Sequence, residues 1–156
     1  MKRAKNKTAF SLIEMMVVIA IIAVLSGMLL GVATYIDTQS KQRSLKSTFA
    51  VLHGALQEYY NHWQAFPDPN KPNTPLFPSR SAALYAQLNA TPAAREILSQ
   101  LSNKSLRNVA PDTLEFTDPW GTALDYLYVP GDTFPTLISA GPDKNLLTPG
   151  DNISNK

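Results

Sequence analysis

The sequence predicts an α+β chain: one long N-terminal helix, its first half apolar enough for a membrane, packed through its second half on a small antiparallel sheet. Three observations predict it. From Phe10 to Ala33 the chain is almost wholly apolar, with Glu14 its single charge. Beyond that run, Leu45, Phe49, Leu52, Leu56, Tyr59 and Trp63 recur at spacings of three and four, which makes one amphipathic helix face. After Pro111 the pattern turns to short strand-like runs, Leu124–Val129 and Thr136–Ser139, parted by the turn signal Pro130-Gly131.

Residues 1–9 are short, polar and basic, with Lys2, Arg3, Lys5 and Lys7; such flanks resist translocation and hold an N-terminus in the cytoplasm. Residues 10–33 form the membrane half of the helix: two dozen residues extend roughly 36 Å, enough for a hydrocarbon layer of about 30 Å. Residues 34–156 then make a head outside the membrane, which includes the second half of the same helix. Gln42, Arg43, Lys46, Gln57 and Glu58 fill its other faces, so a single helix is expected from about Phe10 to about Gln64, with Pro67 ending it. Two helices joined between Gly31 and Asp37 are the alternative.

Pro67, Pro69, Pro72, Pro75 and Pro78 hold the next stretch extended, an irregular surface loop. Ser81–Leu88 and Thr91 to Leu101 read as helices, the second with Thr91 as its cap and Pro92 in its first turn. The Asp118-Pro119 pair before Trp120-Gly121 reads as a turn leading into the sheet.

A chain of 156 residues with 44% apolar content can bury one modest core. Its formal charge of +2 arises in the lead-in: without residues 1–9, ten basic side chains face twelve acidic ones, about −2. The basicity is therefore a property of the lead-in and gives no support to nucleic-acid binding, which needs a basic surface on the folded part. There is no cysteine, so the head relies on its core or on a bound ion.

Ala9-Phe10-Ser11-Leu12-Ile13-Glu14-Met15 resembles the cleavage and methylation motif of type IV pilins and of the pseudopilins of type II secretion. The resemblance implies that a prepilin peptidase cuts between Ala9 and Phe10 and methylates the new amine of Phe10. Family leaders usually carry Gly before the cut; here the small residue is Ala9. It implies too that Glu14 pairs with the Phe10 amine of a neighbouring copy and so sets the register of a growing fibre. A lone carboxylate in an apolar run costs about 2.5–3.5 kcal/mol on insertion scales, so a partner or an interfacial position is needed. An ordinary secretory signal, cut near Val24-Leu25-Ser26, fits less well, because the apolar run continues to Leu30 where such regions span about 7–15 residues.

Four later blocks, Asp118–Gly121, Tyr126–Gly131, Ser139–Asp143 and Asp151–Asn155, look in order like the C-terminal half of major pseudopilins; the middle, about Pro67 to Ala110, does not. This likeness implies a structural, non-catalytic subunit of the bacterial inner membrane, single-pass, with a cytoplasmic N-terminus and a periplasmic head. Its partners would be copies of itself, the prepilin peptidase, the inner-membrane assembly platform and minor pseudopilins. It further implies calcium in the last loop, held by Asp143 and Asp151, with Asn152 where the family often has another aspartate, and with Ser139 or backbone carbonyls near Ala140 and Leu147 as candidates to complete the shell. A hard cation takes six to eight such oxygens. On spacing alone the plainer reading is an acidic tail, with seven acidic groups over residues 112–156 against Lys144 and Lys156. A type IV pilin of a surface pilus, for adhesion, motility or DNA uptake, is the alternative; many of those close the last loop with a disulfide. A third is a membrane-anchored binding module that never polymerises.

His53 and His62 lie nine residues apart, about 180° around a straight helix, so they cannot share a metal. Without cysteine or a further histidine, zinc binding and a histidine-based triad lack their parts. Trp63 and Trp120 read as core or turn anchors.

Overall fold

The computed structural model describes residues 11–68 and 77–156, with side chains at all of these but 28–34. The expectations for residues 1–10 and for Pro69, Pro72 and Pro75 lie outside the described residues.

Helix α1 runs unbroken from Leu12 to Trp63, 52 residues, through both Gly27 and Gly31 rather than as two helices. It ends at Gln64, which adopts φ 54°, donates its N–H to the Tyr60 carbonyl at 2.8 Å and turns its side-chain amide onto the Asn61 carbonyl at 3.1 Å. A left-handed residue satisfying the last carbonyls is thus the stop signal, ahead of Pro67, to which the sequence reading assigned it.

The chain divides into two compact units, residues 1–39 and residues 40–156. In the first, Leu12 is 79% exposed and Ile19 65%, and the other large apolar residues up to Leu25 are exposed likewise. A helix apolar on every side needs apolar surroundings, and this unit supplies none to these side chains. Among the described residues no helix is long and apolar enough to cross a membrane; of the expected span 10–33, the described side chains are those of 11–27.

In the second unit, Leu45, Phe49, Leu52, Ala55 and Leu56 of α1 are buried, the face that the three-and-four spacing predicts. They join Leu84 and Leu88 of α2 (Arg80–Ala90), Leu98 of α3 (Pro92–Leu98) and the sheet residues Phe116, Tyr126 and Leu137 in one core. Trp63 departs from the prediction. Lying at the fraying end of the helix, it is 59% exposed, and its indole N–H donates to Thr91 Oγ1 at 3.1 Å. Thr91 precedes α3 as expected but makes no side-chain cap, because its hydroxyl takes the indole. The α2 cap is Ser79, which accepts the Ala82 N–H at 3.1 Å.

Among the described residues, two small antiparallel sheets replace the single expected one. The hairpin of β1 (Leu106–Ala110) and β2 (Thr113–Phe116) turns at Pro111-Asp112, with Asp112 at φ 57°. Nothing in the sequence announces β1, since only Val109 and Leu106 on it are even half-buried and its alternation is weak. The other sheet has the order β3 (Asp125–Leu127), β4 (Thr136–Ser139), β5 (Ile153–Ser154). Ser81 Oγ donates to the Phe116 carbonyl and accepts the Phe116 N–H, both at 2.9 Å, which fixes α2 on the end of β2.

Candidate functional site

Two regions carry the candidate residues. At the front of α1 the run Ser11-Leu12-Ile13-Glu14 has capping-box spacing, Glu standing three residues after Ser. The Glu14 carboxylate accepts the Ser11 backbone N–H at 2.8 Å, and the Ser11 carbonyl accepts the Glu14 N–H at 3.1 Å. A carboxylate at the positive end of the helix dipole is favoured in any case. Ala9 and Phe10, the expected cleavage and methylation residues, lie outside the described residues.

The second region is the loop from Ala140 to Asn152, whose ends are brought together by the β4–β5 pairing of Ser139 with Ile153. Gly141 adopts φ 70° and lies so close to Asp151 that a Cβ there would overlap the Asp151 carbonyl. That approach puts Asp151 Oδ2 3.0 Å from the Asp143 N–H, which it accepts. Asp143 in turn accepts the Asn145 N–H on Oδ1 at 2.8 Å and the Thr148 hydroxyl on Oδ2. The Thr148 hydroxyl first, then the Asn145 N–H, hold the Asp143 carboxyl below the usual carboxylate range.

The structure therefore brings Asp143 and Asp151 together, and Asn152, next in the chain, donates its amide N–H to the Leu146 carbonyl of the same loop at 3.0 Å. The opposite atom, Asn152 Oδ1, is buried without a hydrogen-bond partner. A buried oxygen with nothing to accept from is costly, and amide oxygens and carboxylates are the ligand types a hard cation takes. The donor set fits calcium in kind. Among the described residues no three acidic or histidine side chains gather at one point, so backbone oxygens would fill most of such a shell. The Ser139 hydroxyl, the further candidate, is engaged within the protein: it donates to Asp118 Oδ2 at 2.7 Å and accepts the Gly141 N–H at 3.1 Å.

Asn145 and Thr148 were missed by sequence reasoning, although an Asn two residues after an Asp, followed by Thr, is an ordinary signal for nested side-chain turns. So was the buried carboxylate of Asp118. It reads as a turn residue in sequence, and it is one: Oδ1 accepts the Trp120 N–H at 3.0 Å and the Thr122 N–H at 2.8 Å. His53 stacks on Phe134, centroids 4.1 Å apart, and His62 meets Trp63 edge-on at 4.8 Å; both are aromatic packing partners.

Residues 4–30 match the family model described as "Prokaryotic N-terminal methylation motif". No curated protein and no solved structure gave a match. The matched segment covers Lys5 and Lys7 of the basic lead-in, Ala9-Phe10, Glu14 and the apolar run as far as Leu30. With the long helix and the small antiparallel sheets behind it, the motif makes the chain pilin-like and structural rather than enzymatic, and the motif itself implies an inner-membrane anchor, processing by a prepilin peptidase and polymerisation into fibres.

Proposed function

We propose that this pilin-like chain is the major subunit of a periplasmic pseudopilus that drives type II protein secretion. Cleaved between Ala9 and Phe10 and methylated on Phe10, it waits in the inner membrane with its head in the periplasm. The assembly platform then raises it into a fibre of its own copies, with minor pseudopilins as further partners. Glu14 sets the register by pairing with the Phe10 amine of the adjoining copy. The observation that favours secretion over a surface pilus is the last loop. It contains no cysteine and is drawn together by Asp151 on the Asp143 N–H, and in the same loop Asn152 Oδ1 is buried without a hydrogen-bond partner. On this reading calcium takes the place of a covalent closure, with Asp143, Asp151 and Asn152 Oδ1 as its side-chain ligands.

Deleting the chain in its native host tests the reading. Loss of exported enzymes from the medium, with surface fibres and surface motility intact, is the expected result; the reverse pattern assigns the chain to a surface pilus. Mass spectrometry of the native protein should give an N-terminus at Phe10 bearing one added methyl. Chelation should lower the melting temperature of the head, because an ion bound only by the folded state stabilises it by mass action.

A further inference from the structure

Asp118 is 1% exposed, and a buried carboxylate is costly unless it is fully hydrogen-bonded. Closing the turn alone does not call for that charge: the Trp120 and Thr122 N–H groups both go to Oδ1, and an asparagine oxygen accepts them equally well. The charge matters at Oδ2. An ionised carboxylate only accepts, so Ser139 must donate its single proton there, at 2.7 Å. The hydroxyl is thereby left with lone pairs alone for its other neighbour, and it accepts the Gly141 N–H at 3.1 Å. Gly141 lies against the Asp151 backbone, and Asp151 Oδ2 accepts the Asp143 N–H at 3.0 Å. Hydrogen bonds and one close backbone approach, of Gly141 to Asp151, thus link the core to both loop carboxylates.

We propose that Asp118 is the positioning residue of the C-terminal loop: its charge orients the Ser139 hydroxyl, which fixes Gly141 and so sets where Asp143 and Asp151 stand. The ligand that benefits is a divalent cation held by that loop, a part of the inference that rests on the calcium reading above. Coupling of this kind is reciprocal, so the ion in turn tightens the Asp118–Thr122 turn. That turn borders, with Ser40, Lys41 and Ser44 of α1, a cavity of 330 Å³, which brings loop occupancy to the surface of the helix.

The test uses the full chain in lipid nanodiscs, with Asp118→Asn and Ser139→Ala. Asparagine keeps the Oδ1 acceptor for the turn but presents N–H to Ser139, whose own proton is then left without an acceptor; alanine removes the relay and leaves Asp118 in place. Hydrogen exchange of the 140–152 segment, without added ion, should speed up about tenfold in both variants while the 45–56 segment of α1 keeps its protection. Calcium affinity should fall by about 10- to 100-fold, as when a partner behind a metal ligand is removed. Faster loop exchange in a chain that binds no calcium even as wild type upholds the positioning role and removes only the ion. Unchanged loop exchange in either variant with an intact α1 segment overturns the proposal. So does exchange that rises equally in loop and helix in both variants, since Asp118 would then serve the fold as a whole.

Discussion

The Glu14 carboxylate accepts the Ser11 backbone N–H at 2.8 Å, so the side chain assigned to a neighbour in the fibre already closes the first turn of its own helix. Charge and capping are therefore both lost in Glu14→Ala, and only the charge in Glu14→Gln. Removing such a cap costs about 0.5–2 kcal/mol locally. Both variants should insert in the membrane and fail to form fibres, while amide exchange of the first turn should rise in the alanine variant alone. Normal fibres from Glu14→Gln would remove the charge pairing.

Three glycines separate strain from overlap. A Cβ at Gly150 meets nothing within 4 Å, one at Gly131 also meets nothing but sits at φ 102°, and one at Gly141 combines φ 70° with overlap on the Asp151 carbonyl. Alanine should therefore be nearly neutral at 150, cost about 1–3 kcal/mol at 131, and cost most at 141. Thermal melting of the three variants gives the order directly.

Asp143 supplies a pH dependence. Its folded carboxyl lies below its usual value, through the Thr148 hydroxyl and the Asn145 N–H. A carboxyl depressed on folding contributes stability that is complete above the unfolded value of about 3.9 and is lost as pH falls through the folded one. Loop protection should be flat from neutral pH down to about 4 and then decline; Asp143→Asn should abolish that decline.

Tyr126 is 1% exposed, and its hydroxyl donates to the Pro67 carbonyl at 2.8 Å. Tyr126→Phe leaves that carbonyl without its donor and should cost about 1–3 kcal/mol, read as a lower urea midpoint. Burial, and after it the charges of Tyr128, Tyr59 and Asp68, raise the phenol's ionisation well above normal. In alkali the unfolded phenol therefore ionises first, and stability should fall above about pH 10, less steeply in the phenylalanine variant.

Long-period features were legible in the sequence. Leu45, Phe49, Leu52 and Leu56 repeat often enough for the helix face to be read directly, and they are buried. Ser11 through Glu14 could be read from a motif. What escaped were features set by single contacts over long chain separations. The β1–β2 hairpin is fastened to the N-cap of α2 through Glu115, which takes the Ser79 hydroxyl, 36 residues away, on Oε2 at 2.6 Å and Arg107 Nε on Oε1 at 3.0 Å, and no period in the chain announces it. Strand β5 is two residues long and owes its existence to β4. Trp63 fits the spacing and is nevertheless exposed, because the helix ends at Gln64. Asp118 and Ser139 are 21 residues apart, and nothing local in either stretch reveals that one directs the other's proton.

The bare oily rod from Leu12 to Leu25 has a thermodynamic corollary. Lipid tails are as apolar as leucine, so association between such rods gains little from hydrophobicity and depends on close packing and polar pairing. Moving a subunit from bilayer to filament is then close to an even exchange of one greasy environment for another. For a stem of this kind only a small free-energy gap separates growth from collapse, and specific contacts rather than any downhill apolar pull must decide between them.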